Sequence, residues 1–297
     1  MCWCDIVVVL VSLRDVRFTY AFTERPALDG ITLELEAGLL HGVVGMNASG
    51  KSTLCALIRG IIPHFHEGTL EGEVQVLGRN LLDWEPAELS QTIGCVFDNP
   101  FTQISGIKDT VFEEIAMGLE NLGVSRDTMI ERVEAVVEQL GLQALIRKNP
   151  NELSGGQRQK VAFASIIAMD TDFIIIDEPT SQLDPEASEA VFGIIGELKD
   201  LGKSIVLVEH KIDLMAQYAD RIVVMKGGKV VTDGTTRDVL TSTALTDANV
   251  PPPEVTELAW RLRDAGRGLP FLPITRAEAY RAVTQRMKEL HRDHRTP

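Results

Sequence analysis

The chain has 297 residues, of which 44% are hydrophobic, and it carries a net charge of −14 at pH 7. This length and composition allow a globular protein with one large domain and an appendage. The apolar runs are far shorter than the about 20 residues of a membrane-spanning helix, and the first five residues lack the basic start of a signal peptide. The acidic charge disfavours nucleic acid as a partner. We therefore expect a protein that stays in the cytosol and meets a membrane only through a partner.

Cysteine and histidine spacing gives little support for a zinc site. The cysteines form no C-x-x-C pair and are expected to be free thiols, namely Cys2, Cys4, Cys55 and Cys95. His64 and His66 lie close together, but no third ligand is evident, and a surface loop explains them better.

Apolar and polar residues alternate in the first part of the chain, which predicts antiparallel strands. These strands are expected over Ile6–Val9, Val16–Tyr20 and Ile31–Leu35. A buried strand over Leu39–Val44 leads into a glycine loop and a helix over 52–59. A further short strand is expected over 73–77.

The middle of the chain alternates helices with apolar strands, which is typical of a parallel α/β sheet. Helical periodicity covers about 110–147, and a second helix is expected over Gln157–Met169. The apolar strand Phe173–Ile176 then precedes a helix over Ala187–Leu198 and two more strands, Ser204–Val208 and Ile222–Met225.

The composition changes near Thr241, and Pro251–Pro253 follows. Two helices are expected beyond it, over 254–265 and 275–291, the second opened by a capping box from Thr275 to Glu278. We therefore predict a main unit over 1–245 and a small helical unit over 246–297. The small unit cannot bury a core alone, so it should pack on the main unit or on a partner.

The glycine loop fits the pattern G-x-x-x-x-G-K-[ST] between a predicted strand and a predicted helix. Backbone N–H groups in such a loop bind phosphate oxygens. Lys51 is expected to reach the β- and γ-phosphates, and the Ser52 hydroxyl to bind magnesium. The full nucleotide-binding loop is Gly45, Met46, Asn47, Ala48, Ser49, Gly50, Lys51, Ser52 and Thr53.

Two acids and a histidine follow buried strands. Asp177 ends one strand, at the sheet edge where ligands bind, and is suited to hold magnesium through water. Glu178 comes next and is expected to polarise the attacking water as general base. His210 follows the next strand, and we expect it to be catalytic, in contact with the γ-phosphate.

The string LSGGQ, at Leu153–Gln157, opens the helix that ends at Met169. A helix N-terminus is an anion site, so this one can complete a triphosphate site begun by a different subunit. With the glycine loop and the two acids, residues 6–240 resemble the ATP-binding subunit of an ATP-binding-cassette (ABC) transporter.

This resemblance implies an α/β P-loop NTPase fold with a parallel core sheet, an antiparallel β subdomain and a helical signature subdomain over about 98–160. It implies hydrolysis of ATP with Mg²⁺, in a head-to-tail dimer that closes on ATP and reopens on hydrolysis. The partners implied are a second ATPase subunit, identical or paralogous, and integral membrane subunits. The protein is then peripheral, on the cytoplasmic face of the cell membrane.

The same resemblance implies roles for residues outside the glycine loop. Tyr20 is expected to stack on adenine, and Asp184 to communicate between the two sites. Ser154 and Gly156 are expected to contact the γ-phosphate bound to the opposite subunit. The nucleotide-binding residues expected in this segment are Ser154, Gly155, Gly156 and Gln157.

Three segments are similar to the ATPases of energy-coupling-factor (ECF) importers of vitamins and metals. They are Ile61–His66, Gly72–Val74 and Val96–Gln103. The two-helix tail is also similar to theirs, where it helps to pair the ATPases. Importers are therefore the subfamily that we expect.

The chain departs from the family pattern at Ala48, Asp98, Glu209 and Gln182. The family has Gly at the first of these positions, Gln at the second, Thr before the histidine and a small residue at the last. Asp98 is the most consequential, because a carboxylate can bind the metal but adds negative charge beside the phosphates.

Alternative functions are a soluble ABC ATPase of DNA repair or translation and an inactive regulatory cassette. Chromosome-type ATPases insert a long coiled coil that is not evident here, excision-repair ATPases carry zinc cysteines, and translation factors carry two cassettes. An inactive cassette is disfavoured by the intact Lys51, Asp177, Glu178 and His210.

Overall fold

Two β-sheets form the centre of the fold in the computed structural model, which describes residues 8–97, 99, 103–181 and 183–293. The smaller sheet is antiparallel, with the strand order β2-β1-β4-β5. Its strands are β1 (Val9–Tyr20), β2 (Leu28–Glu36), β4 (Gly68–Val76) and β5 (Arg79–Asn80).

One strand prediction was wrong. The structure has a single long strand, β1, where two strands were expected over Ile6–Val9 and Val16–Tyr20. Asp15 has a φ of 49°, and the pairing with β2 shifts register between Leu13 and Val16. This bulge interrupts the apolar–polar alternation while the strand continues. Residues 6 and 7 lie outside the described residues.

The larger sheet has the strand order β10-β9-β3-β8-β7-β6. All neighbours are parallel except β9 and β10, which confirms the predicted parallel core sheet. The antiparallel edge strand β10 was not predicted, although Gly227 and Gly228 before it are typical of a hairpin. The strands are β3 (Leu40–Gly45), β6 (Ile93–Val96), β7 (Phe173–Asp177), β8 (Ser204–Val208), β9 (Arg221–Lys226) and β10 (Lys229–Thr235).

Twelve α-helices are found in the part of the chain that the structure describes, and none of them is long and apolar enough to cross a bilayer. Short 3₁₀ turns occur over Leu81–Asp83 and Pro150–Glu152. The helices are α1 (Lys51–Ile58), α2 (Ile61–His64), α3 (Pro86–Thr92), α4 (Val111–Asn121), α5 (Arg126–Gln139), α6 (Gly155–Met169), α7 (Pro185–Asp200), α8 (Ile212–Tyr218), α9 (Thr236–Leu240), α10 (Ala244–Asp247), α11 (Glu254–Asp264) and α12 (Arg276–Asp293).

The region with helical periodicity over about 110–147 contains two helices, α4 and α5. Helix α4 starts with a capping box between Thr110 and Glu113, and Ser125 caps α5. Both helices bury apolar residues in one core with α6, including Ile115, Val133 and Phe163. This core fixes the start of α6. The LSGGQ string at Leu153–Gln157, called the signature segment below, lies there.

The two predicted tail helices are present as α11 and α12, and they contact the rest of the protein. The Glu254 amide donates to the Asp213 carboxylate at 3.2 Å, and Arg237 forms an ion pair with Glu278. Ile274, between the helices, belongs to the main core. The predicted capping box is half formed, because Thr275 accepts from the Glu278 amide while the Glu278 carboxylate accepts from Ile274. The unit boundary near residue 245 stays a prediction.

Candidate active site

The order of the strands brings the predicted catalytic segments together. Strand β8 lies between β3 and β7, so the glycine loop, the acids and His210 all follow the carboxyl ends of neighbouring parallel strands. The Glu178 amide donates to the carbonyl of Val208 at 2.9 Å, which fixes the start of the acidic loop beside the histidine loop. This edge is where ligands bind in open α/β sheets.

The glycine loop ends at the N-terminus of α1, which no side chain caps. Its N-cap is Gly50, with a φ of 105° that favours glycine. The buried Lys51 Nζ folds back and donates to the carbonyls of Gly45 and Met46, at 2.9 and 3.1 Å. Burial lowers the pKa of Lys51, and the nearby Glu178 and Asp177 carboxylates act in the opposite direction. An anion at this position would compensate the partly desolvated ammonium group.

A cavity of about 350 Å³ lies over this loop and is lined by residues 47–53 and Glu178. The Ser49 hydroxyl is buried in the lining and has no hydrogen-bond partner among the described residues. A Cβ at Gly45 would lie 2.4 Å from the carbonyl of Met225, so only glycine fits there. Ala48 has a φ of 60°, a conformation that the glycine usual in the family adopts without strain. The Ser49 hydroxyl and the N-terminus of α1, for which no side-chain cap is found among the described residues, are donors suited to a phosphate group.

The predicted magnesium ligands are oxygen donors beside this cavity. Ser52 is exposed in the first turn of α1, and Asp177 is half-buried at the end of β7. No group of three or more His, Cys, Asp or Glu side chains suited to a metal occurs among the described residues. Magnesium is typically held by one or two carboxylates together with substrate phosphates, so this donor set fits the ion. The third predicted ligand, Asp98, lies outside the described residues.

Glu178 and His210 contact each other directly. The His210 Nε2 atom lies 2.9 Å from a carboxylate oxygen of Glu178. Glu178 has a φ of 45°, a strained backbone conformation for a residue other than glycine. The sequence predicted that both side chains act on the same phosphate, but it did not predict this pair.

Tyr20 lies on the far side of the loop, at the end of β1. Its hydroxyl is 3.3 Å from the hydroxyl of Thr53, and its ring packs edge-on against Phe18 at 4.8 Å between centroids. The ring is half-buried. This places an aromatic side chain next to the helix that follows the phosphate loop.

Side chains of the signature segment cap the N-terminus of α6. The Ser154 hydroxyl accepts from the amide of Gln157 at 3.4 Å, and the Gln157 side chain accepts from the amide of Ser154 at 3.1 Å. Gly155 and Gly156 follow Ser154, and a Cβ at Gly156 would lie 3.6 Å from Ala187. Asp184 caps α7 by accepting from the amide of Ala187 at 2.8 Å. The segment predicted to contact the opposite subunit and the segment predicted to communicate between the two sites are thus neighbours.

Sequence reasoning missed a buried group of polar residues behind Glu178 and His210. Thr180 and Glu209 are buried and hydrogen-bonded to each other, and Lys211 contacts the same threonine. The available signal was a carboxylate at position 209, where the family usually has threonine. Gln182, another departure, lies outside the described residues.

Comparisons with known proteins identify the family of this chain. The family model described as ABC transporter matches residues 28–181. The energy-coupling factor transporter ATP-binding protein EcfA1 of Bacillus subtilis is 40% identical over 265 residues, which cover 88% of this chain and 85% of that protein. A putative ABC transporter ATP-binding protein of Pyrococcus horikoshii is 38% identical over 86% of this chain and 90% of its own length.

Solved structures of ABC ATPases are also similar to this chain. CbiO1 of Clostridium perfringens, described as part of the ABC transporter complex cbiONQ, has a TM-score of 0.72 at 26% identity and covers 87% of this chain and 97% of its own. A dimeric post-hydrolysis state of the ATP-binding cassette MJ0796 bound to ADP and Pi has a TM-score of 0.66 at 28% identity, over 76% of this chain and 99% of its own.

The chain therefore belongs to the ABC transporter family, as a P-loop ATPase subunit of the ECF type. It binds and hydrolyses ATP. ATPases of this family work as dimers together with membrane subunits. These findings confirm the predicted family, fold class and enzymatic activity.

Proposed function

We propose that the protein powers import across the cytoplasmic membrane, as a peripheral ATPase on the cytoplasmic face of an ECF-type transporter. The observation that carries this proposal is the convergence of the uncapped phosphate loop, Glu178 and His210 at one edge of the sheet. Import is favoured by the relationship to a protein named as an energy-coupling factor transporter ATPase.

Each residue of the site has a chemical task in this proposal. The loop amides, the Ser49 hydroxyl and the Lys51 ammonium hold the phosphates. Ser52 and Asp177 would hold Mg²⁺, together with the predicted third ligand Asp98, and the ion would neutralise phosphate charge when bound. Glu178 accepts a proton from the attacking water, and His210 keeps that carboxylate oriented toward the γ-phosphate. Tyr20 stacks on the adenine ring.

The second half of each site comes from a second ATPase subunit. The start of α6 points an anion-binding helix N-terminus outward, with an exposed Ser154, and the exposed Asp184 lies at the start of the neighbouring α7. In a head-to-tail dimer Ser154 and Gly156 reach the γ-phosphate on the opposite subunit, and Asp184 communicates between the two sites. ATP then closes the dimer, and hydrolysis removes the group that joins the two halves, so that the dimer reopens.

The membrane subunit docks on the helical region. A cavity of about 340 Å³ lies between α4 and α5, lined by apolar and charged residues that include Phe112, Met129 and Arg126. Ile107, which precedes α4 in the chain, is 76% exposed, whereas Ile104, Val111 and Ile115 are core. A short helix with an apolar face fits such a groove.

Substitution of the proposed base tests the mechanism. Glu178→Gln keeps the shape of the side chain but cannot accept the proton, so we expect turnover to fall by about 100-fold or more while ATP binding is retained. The variant should also accumulate an ATP-bound dimer in size-exclusion chromatography. Glu131→Gln, on the exposed face of α5, is the charge-matched control and should behave as the original protein. Near-normal turnover in Glu178→Gln would remove Glu178 from the mechanism.

A further inference from the structure

A buried carboxylate lies directly behind the exposed pair of Glu178 and His210. Glu209 is only 2% exposed, although it stands between a buried strand and an exposed histidine. A buried charge is costly unless hydrogen bonds compensate it. The hydrogen-bond partners of Glu209 therefore identify the segments that its carboxylate holds in place.

Three donors surround the Glu209 carboxylate, and they come from both catalytic loops. One oxygen accepts from the Thr180 hydroxyl at 2.7 Å, two residues beyond Glu178. The other accepts from the amides of His210, at 2.7 Å, and Lys211, at 3.3 Å. Hydrogen bonds to an ionised group are the stronger kind in proteins. The side chain therefore ties the loop after β7 to the loop after β8.

Lys211 reinforces the same connection from the other side. Its Nζ atom donates to the carbonyl of Thr180 at 3.3 Å and to the hydroxyl of Ser188. Ser188 in turn donates to the carbonyl of Asp184 at 2.7 Å. The acidic loop is thus held at Thr180 through both its hydroxyl and its carbonyl, and the contact continues to the start of α7.

We propose that Glu209 is a positioning residue for ATP hydrolysis, because its buried carboxylate sets the position of Glu178 relative to His210. The inference rests on the proposed roles of those two residues. Because Glu209 is buried, we assign it no direct contact with substrate. It acts through Thr180 on the loop that carries the base, and through the amide of His210 on the residue that orients the base.

The contact between Glu178 and His210 alone cannot fix the position of one side chain relative to the other. The side chains of Glu178 and His210 are 27% and 42% exposed, and solvent screens charged pairs at such positions. The bond between Thr180 and Glu209 is buried, so it holds one geometry against the strained backbone at Glu178. Loss of the buried bond should leave nucleotide binding intact, since the phosphate loop is a separate segment, but it should misplace the base.

Two independent substitutions test the inference in the full-length protein. Glu209→Ala removes all three bonds, and Thr180→Val removes only the hydroxyl bond while it keeps the shape of the side chain. We expect kcat to fall by about 10-fold in Thr180→Val and by more in Glu209→Ala, with KM for ATP within about twofold. The double variant should be no worse than Glu209→Ala, because both changes break one connection. Glu209→Gln and Thr180→Ser retain hydrogen-bonding groups and should restore most of kcat.

Thr236→Val is the structural control. Thr236 is also buried, and its hydroxyl donates to the carbonyl of Ala219 at 2.6 Å, away from the site. It should lower the melting temperature to a similar extent as Thr180→Val and leave kcat unchanged. Normal kcat in Thr180→Val would overturn the inference, as would an equal loss of kcat in Thr236→Val.

Glu178→Gln separates this inference from the proposed function. If Glu178→Gln keeps its turnover, the role of Glu178 fails, and the positioning role fails with it. If Glu178→Gln is inactive while Glu209→Ala and Thr180→Val both turn over normally, only the positioning role is wrong.

Discussion

Two helix N-termini of this protein are proposed to bind phosphate, and they are built in opposite ways. Helix α1 begins at Gly50, and no side chain caps it. Helix α6 begins at Ser154 and is closed by a complete capping box with Gln157. One end leaves its amide groups available for a ligand, whereas the other satisfies two amides from its own sequence.

From this difference we assign the two helix N-termini to different steps of the ATPase cycle. A capping side chain stabilises a helix by about 1 kcal/mol, so the start of α6 is stabilised without nucleotide. The Ser154 hydroxyl accepts from the Gln157 amide and can still donate its own proton to a phosphate. Among the described residues no side chain caps the start of α1, and the nearby Lys51 ammonium donates to two backbone carbonyls. We infer that α1 binds ATP within one subunit, and that α6 engages only when a second subunit brings a phosphate to it.

The largest effect is expected from a change on the α1 side. Lys51→Ala removes the ammonium group that is proposed to reach the β- and γ-phosphates, and we expect ATP affinity to fall by about 100-fold. Titration with a fluorescent ATP analogue measures this. Lys229→Ala, an exposed lysine on β10, is the control and should bind normally. Unchanged affinity in Lys51→Ala would contradict the assignment of α1 as the primary phosphate site.

The α1 side could be predicted in detail because its chemistry lies within one short segment. The spacing from Gly45 to Thr53 defines a loop whose geometry follows from local sequence. Asp177 and Glu178 could be placed at the sheet edge because they end an apolar strand. The parallel core also followed from the alternation of helices and strands.

Other features depend on which segments the fold brings together. Thr180 and Glu209 are 29 residues apart, and their bond requires that β7 and β8 be neighbours. The same adjacency pairs Glu178 with His210. The continuous strand β1 was missed because a bulge at Asp15 breaks the alternation that a sequence pattern measures.

A smaller effect is expected from a change on the α6 side. Ser154→Ala removes the cap and the proposed phosphate contact, so we expect ATP turnover to fall by about 10-fold, while ATP affinity of the single subunit stays normal. Ser125→Ala is a matched control, since Ser125 caps α5 through the amide of Thr128 in the same way. Both variants should lose similar thermal stability, as measured by circular dichroism. Equal turnover in the two variants would show that Ser154 is only a helix cap.

The smallest effect is expected at the surface that brings two subunits together. If α6 needs a second subunit, pairing must be favoured by contacts outside the nucleotide site. Helix α12 exposes an apolar stripe with spacings of three, four and three residues, formed by Tyr280, Val283, Met287 and Leu290. Ala282, on another face of the helix, is fully buried, so the stripe is not used within the chain's own core. Such spacing is typical of helices that pair side by side.

We propose that this stripe contacts the tail of the second ATPase subunit. Met287→Ser combined with Leu290→Ser removes two partly exposed apolar side chains, so we expect the dimer to dissociate about fivefold more readily in the presence of ATP. Sedimentation equilibrium of the purified subunit measures the change, and ATP affinity should be unaffected. Val231→Ser, which alters an exposed apolar residue on β10, should leave dimerisation unchanged. If the double variant pairs as the original protein does, then α12 is not a pairing surface, and the two ATPase subunits pair through other contacts of their own.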